Sequence, residues 1–527
     1  MKTFAILLTL VLPPAFQQAV LTLSGASCIE ELSEDELQRY QDLAARPADL
    51  NRAGESRLLS TGLLSPFQVA SLLDYRGRSG DILSWTELGL VDGFTPQLAE
   101  ALRVFFVLGT RDAPPGRRED RRFSQSLTLR GGIRDDGSLS GGLKYEAAAG
   151  ERAALYWSTR TTYDAPQLKP GTLSAAWYGR RALGQLIVGH FNARFGQGLV
   201  QWSGFRLSGY GTVGAFRKNG TGFSPTGSYS PELLGLAADW NLGPWRLSTA
   251  YAWNRQRPIV NLSRNWRTLS AGLTATESAA SVEARFSLPD WSFFGETACV
   301  YAGGVKFLAG AVWTPRYGHR IALLGRSLGD GKDYSGFAAG YGGPAWDATI
   351  DAARRPDTQA EQYKALVQWH PACTWAGLLW QPLLRVQSRY RPADDAPWRT
   401  ELRGMLTVEG GHWTVAGRYD AVRCRDFAWN WYAEAGCRTE RLSLYLRGGL
   451  FKADRWDDRI YVYERDAPGS FTVPARYGRG WNASLYAAWQ IGRRHALWLR
   501  VETVQYPWNL TPKDGRIEAR LQYRCRL

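Results

Sequence analysis

The sequence predicts a mainly β fold: a large antiparallel transmembrane β-barrel of about 18–22 strands, preceded by a small all-α region. Three observations predict it. Apolar and polar residues alternate strictly along the C-terminal segments. The composition is rich in aromatics and glycine and poor in methionine. An acidic, helix-patterned first part is set against a basic remainder.

The alternation is clearest at the end of the chain. Ile517, Ala519, Leu521, Tyr523, Cys525 and Leu527 interleave with Arg516, Glu518, Arg520, Gln522, Arg524 and Arg526. One face is oily and the other almost wholly charged, as a strand between lipid and an aqueous lumen requires. The pattern recurs at Leu442–Arg447, Ser484–Ile491, Leu497–Glu502 and, near the start, Ser126–Arg130. Asp135-Asp136-Gly137, Gly329-Asp330-Gly331 and Lys513-Asp514-Gly515 supply turns between segments. A final strand without a tail suits ring closure against the first.

Composition agrees. The 527 residues include 23 Trp, 24 Tyr and 20 Phe but 2 Met, with 56 Gly. Interfacial belts of a membrane barrel consume Trp and Tyr in this way. The mean hydropathy of −0.31 does not discriminate, because a polar lumen offsets an oily exterior. The longest uncharged run, Ala365 to Leu384, reads as two strands around a His370-Pro371-Ala372-Cys373 turn rather than as a membrane helix.

Residues 1–27 read as an export signal: Lys2, an apolar run from Phe4 to Leu12, the break at Pro13-Pro14, then Gly25-Ala26-Ser27 before Cys28. Lipidation of Cys28 ranks second, since Gly25 stands where a lipoprotein signal carries leucine. Residues 28–110 form the helical region, 111–121 a polar, proline-bearing linker, and 122–527 the barrel. Residues 29–110 hold seven basic and thirteen acidic side chains, a net −6, whereas 111–527 carry +20. Attraction for anions belongs to the second region.

Within the helical region, Ser33 caps a helix opening with Glu34-Asp35-Glu36, and Leu32, Leu37, Tyr40, Leu43 and Ala44 share a face. Two units follow, Leu58–Arg76 and Glu87–Arg103. Each is a helix, a glycine turn at Gly62 or Gly93, and a helix opening at Ser65-Pro66 or Thr95-Pro96. With the Pro47-Ala48-Asp49-Leu50-Asn51-Arg52-Ala53 lead-in and the Arg76-Gly77-Arg78-Ser79-Gly80-Asp81-Ile82 link, this resembles the tandem helix-hairpin-helix domain of competence DNA receptors over about residues 46–108. In that family the turn reads Gly-hydrophobic-Gly and helix-start amides hold a phosphate. The resemblance thus marks Gly62 and Gly93 as phosphate-binding candidates. Leu64 and Thr95 replace the second glycine, and the region is acidic, which opposes DNA affinity. A packing or protein-docking role is therefore favoured over DNA binding.

Two stretches break the strand pattern, Phe191–Phe205 continuing to about Gly227, and Arg459–Gly480. Both resemble segments of bacterial outer-membrane proteins that carry a helix-hairpin-helix domain before a barrel. They either fold into the lumen and narrow it or form long extracellular loops.

No catalytic constellation emerges. His190, His319, His370, His412 and His495 lie far apart, and the six cysteines show no metal-ligand or disulfide-framework spacing. The sequence predicts no enzyme, no metal site and no cofactor. It predicts an outer-membrane location with the helical region in the periplasm, and the lipid bilayer and a periplasmic protein as partners. A channel or transport role is the first reading, with Arg500, Arg516, Arg520, Arg524 and Arg526 as lumen-facing cations that favour anions. DNA handling and a non-conducting structural or assembly role are the alternatives.

Overall fold

Period-two segments cannot satisfy both faces alone, and in this chain they close on one another. In the computed structural model, which describes residues 14–109, 123–179, 181–204, 209–266, 268–316, 318–328, 334–355, 357–492 and 494–527, twenty-four long strands form one antiparallel barrel. They run from Phe123–Arg134 to Arg516–Arg526. The first and last pair along Ser126↔Arg526 to Arg134↔Glu518, which leaves no free edge. The start of the export signal, the linker at 111–121 and the Gly329-Asp330-Gly331 turn lie outside the described residues.

The ring exceeds the 18–22 strands expected because one rim is made of very tight connections. Leu233–Leu242 passes to Trp245–Ala252, and Trp398–Gly410 to Trp413–Arg423, through two residues each. Gly243 and Gly411 open those turns at φ +63° and +54°, a conformation that costs glycine little. Both ends of the barrel chain lie at this near rim. The far rim carries the long connections, residues 195–232 and 454–477.

The two faces of the wall are opposite in character. In Leu442–Ala453, Leu442, Leu444, Leu446 and Leu450 are exposed, whereas Ser443, Tyr445, Arg447 and Phe451 are buried. The last strand buries Glu518 and Gln522 and exposes Ile517 and Leu521. Exposed aromatics gather at both rims. Trp245, Trp266, Trp291, Trp313, Trp346, Trp413 and Trp489 stand at the near rim; Tyr251, Trp253, Tyr301, Trp398 and Phe427 stand at the far one. Near-rim rings pair across strands, Trp291 with Trp313 at 5.4 Å and Trp346 with Trp369 at 6.2 Å between centroids. An oily exterior between two aromatic girdles is the surface of a transmembrane barrel.

Among the described residues, six α-helices precede the barrel: α1 (Pro14–Ser24), α2 (Glu34–Ala45), α3 (Glu55–Ser60), α4 (Pro66–Arg78), α5 (Trp85–Leu88) and α6 (Pro96–Leu102). Ser33 caps α2 through the Glu36 amide, Ser65 and Gln68 form a capping box on α4, and Thr95 caps α6. Leu37, Tyr40, Leu58, Leu64, Leu72, Leu102 and Phe105 form their common core. A two-residue parallel pairing of Ala48–Asp49 with Phe106–Val107 ties the ends of the region together. Helix α1, which the sequence assigns to the export signal, joins this core through Phe16, whose ring meets Phe105 at 5.7 Å.

Candidate functional site in the barrel interior

The acidic residues of the helical region face the wall. Glu30 meets Arg403 at 3.3 Å and also pairs with Arg418; Glu31 meets Arg385 at 3.0 Å. Glu34 lies 3.6 Å from Arg160, Glu36 3.3 Å from Arg194, Asp42 2.7 Å from Lys144 and Glu55 3.8 Å from Arg246. The reverse polarity occurs as well, Arg46 with Glu146 at 3.4 Å and Arg57 with Glu151 at 2.9 Å. The helices are therefore seated inside the barrel, against its charged inner face, rather than hanging from it. Burial pushes the Glu30 carboxyl up, but Arg403 and Arg418 overcome that and hold it well below the ordinary carboxylate range. Glu36 is lowered in the same way, burial being outweighed by Arg39 and Arg194.

Both pattern-breaking segments turn inward. From the far rim, residues 454–477 descend to the middle of the wall. Arg465 pairs with Glu434 at 2.8 Å, and Arg447 donates to the Tyr463 carbonyl at 2.8 Å. Glu464 is buried between Arg476 and Arg500. Tyr463 and Phe471 pack on the helical core, and the Gly469 amide donates to Gln41. The other segment, 195–232, anchors the Gln197 and Leu199 amides on Glu296 at 2.6 and 3.2 Å. It packs Val213 and Phe216 against Phe294, Leu308 and Leu324 of the wall. Thr212 donates to the Gly25 carbonyl at 2.7 Å. Of the two readings the sequence left open for these segments, insertion is the one observed.

The five arginines singled out from the last strands have different surroundings. Arg500 is buried and bound to Glu464 and Glu502. Arg520 meets Asp466 at 2.8 Å and also pairs with Glu518. Arg524 is buried and donates to Thr128 Oγ1 at 3.2 Å. Arg516 lies 4.0 Å from Glu518 with its side chain 43% exposed, and Arg526 sits half-buried at the near rim. The two candidate phosphate turns are occupied by side chains of the chain itself. Gly62 (φ +72°) is backed by the Arg39 guanidinium, and Gly93 (φ +84°) by the Phe67 ring. The Gly93 carbonyl accepts from Gln68 Nε2 at 2.8 Å.

The filling is incomplete. A cavity of about 1170 Å³ lies between the helices, the 195–232 segment and the wall. It is lined at the near rim by Thr268, Pro289, Asp290 and Thr314, and at the far rim by Leu328, Tyr334, Gln362 and Arg391. It therefore extends from one end of the barrel to the other. Gly62 and Gly93 border it, as do Thr22, Leu23 and Ser24 of α1. Its cations, Arg39, Arg194, Arg217, Lys218, Arg285, Lys306, Arg320, Arg326 and Arg391, outnumber its carboxylates, Glu36, Asp92, Asp290 and Asp351. Arg39 and Arg194 pair with Glu36, Arg326 with Asp351 and Arg391 with Asp394.

Sequence reasoning missed these cations. Strand alternation places Arg285 and Arg320 on the inner face and could have found them. Arg217 arrives on an inserted segment whose direction carries no local signal.

No protein-family model and no curated protein matches the chain. Among solved structures it is similar to the P pilus usher (PapC) translocation pore at a TM-score of 0.40 and 10% identity, over 77% of this chain and 99% of that one. It is also similar to Pseudomonas aeruginosa OccK3 (OpdO), at a TM-score of 0.33 and 13% identity over 78% and 97% of the two chains. The corresponding values for Pseudomonas aeruginosa OccK5 (OpdH) are 0.32, 9%, 77% and 98%.

Proposed function

We propose that the chain is an outer-membrane channel or transport component with a basic lumen, regulated by the acidic helical region seated in it. The observation that carries this reading is the cation-rich cavity running beside the helices from rim to rim. A pore lined by one sign of charge selects the opposite ion. The near rim, with its tight turns and both barrel termini, is assigned to the periplasm, because membrane barrels place short turns there and long loops outside. The helical region then enters from the periplasmic side, and its two helix–glycine–helix units serve as a packing scaffold rather than a DNA clamp. Export cleavage between Ser27 and Cys28 would remove α1. Because Thr22, Leu23 and Ser24 border the cavity, that would widen it.

Single-channel recording of the purified full-length protein in a planar bilayer tests the reading. Discrete openings with anion-over-cation selectivity are expected. A bilayer that stays sealed removes the channel and leaves the second reading, a non-conducting structural or assembly component. That alternative is favoured by the extent of filling: the helices and both long connections occupy the interior together.

A further inference from the structure

Buried and half-buried cations on the inner wall are mostly neutralised by carboxylates at hydrogen-bonding distance, as at Arg326–Asp351 (2.8 Å) and Arg447–Glu434 (2.7 Å). One group differs. Arg217, Arg285 and Arg320 border the near-rim half of the cavity, and among the described residues none of them forms an ion pair with a carboxylate. Arg217 enters on the far-rim segment, yet it reaches down to donate to Ser292 Oγ at 2.9 Å, one residue into a strand that starts at the near rim. Arg285 donates to the Lys218 carbonyl at 3.0 Å and to Asn219 Oδ1 at 3.3 Å, which fixes the inserted segment beside it. Arg320 keeps a buried Nε without a hydrogen-bond partner. The carboxylates whose charges reach the group are Glu283, toward Arg285, and Asp347, toward Arg320. Asp347 is already engaged, accepting from His370 Nε2 at 2.7 Å.

Arg285 and Arg320 repel Arg217, and among the described residues no ion-paired carboxylate offsets this. Burial, then the Arg285 and Arg320 charges, push the Arg217 guanidinium below its ordinary value. Arginine stays protonated under such pressure, so the repulsion is relieved by an anion rather than by proton loss. Each guanidinium offers up to five N–H donors in a planar fork, and the polar contacts above leave donors free.

We propose that Arg217, Arg285 and Arg320 form a binding site for the oxyanion group of a small solute, a carboxylate or a phosphate. This site rests on the channel reading for its physiological meaning and gives that channel its solute class. Planar bidentate recognition of either oxyanion is what such forks do best. Lys218 and Asn219 hold the rim of the site, so the inserted segment is a recognition element and not only a constriction.

The test is calorimetric titration of detergent-solubilised full-length protein with sodium acetate and, separately, sodium phosphate, in chloride-free buffer. Saturable binding of at least one is expected, and the tighter one names the group. The double variant Arg285→Gln/Arg320→Gln should weaken binding tenfold or more. Arg391→Gln, at the far end of the same cavity, should change it less than twofold. The single variant Arg320→Gln, which gives up no hydrogen bond to the inserted segment, should weaken binding threefold or more, so the test does not depend on the double variant folding. No saturable binding of either anion overturns the proposal. So does a double variant, or Arg320→Gln alone, that binds like the parent. Because no current is measured, failure of the site and failure of the channel are separate results. Binding in a protein that never conducts leaves the site standing, and anion-selective openings without binding remove the site alone.

Discussion

At the scale of residues, buried charge is organised in pairs between two regions of opposite sign. Glu30 sits between Arg403 and Arg418 with little solvent contact. Removing one member of such a buried arrangement strands its partners and costs about 3–5 kcal/mol. Glu30→Gln should therefore loosen the seated region, read as faster proteolysis within residues 29–110 of the folded protein. Arg78→Gln breaks an exposed pair with Asp74 and should leave that rate unchanged. The carboxylates also set a pH profile. Burial raises Glu34 and Asp35 above their ordinary values, so seating gains stability as pH falls from neutral and these two protonate. Glu30, Glu31 and Glu36 are lowered, so their contribution is complete above the usual glutamate range and is lost as pH falls below it. Hydrogen exchange of α2 amides, corrected for intrinsic rates, should show strongest protection near the ordinary carboxylate range and loss of protection below it. Protection that rises steadily to lower pH would contradict the pairing. The charge asymmetry behind this was legible: the sequence shows −6 against +20. It does not show that the two would meet, because partners such as Glu30 and Arg403 lie hundreds of positions apart.

At the scale of elements, strands were readable and connections were not. Leu442, Leu444 and Leu446 could be assigned to lipid from alternation alone, since a strand exposes every second residue to one medium. Leu446→Arg, on that oily face in mid-strand, should cost about 2–4 kcal/mol of folding stability in lipid vesicles. A cost near zero would place Leu446 away from the bilayer. Glycine turns and caps were equally local: Ser65 caps the helix that opens at Pro66, as the sequence implies, and Gln68 completes a box that it did not. The strand count was underestimated, because two-residue turns such as that before Trp413 leave more chain for strands. The long connections posed a different problem. Arg465 and Glu464 meet Glu434 and Arg500 only after the segment turns inward, and a loop that turns outward has the same composition. For Arg217 the same ambiguity hid a cation that, among the described residues, forms no ion pair with a carboxylate.

At the scale of the whole molecule, the protein is inside-out: oil faces lipid, and ions face a helical insert that pairs with them. Ring closure of the first strand on the last, an amphipathic wall and an acidic helical region were all visible in the chain. Their assembly was not, because the sequence holds no local signal that distinguishes helices hanging free from helices folded back into the ring. The whole arrangement depends on the acidic helices sitting inside the barrel, ion-paired to its wall. Zero-length carbodiimide coupling reads this directly, since Asp42 and Lys144 approach to 2.7 Å while lying far apart in sequence. Mass spectrometry of the membrane-embedded protein, coupled and then digested, should recover an Asp42–Lys144 isopeptide. Recovery of Lys144 joined only to its strand neighbour Glu146, with Asp42 fully labelled by an added amine, would contradict it.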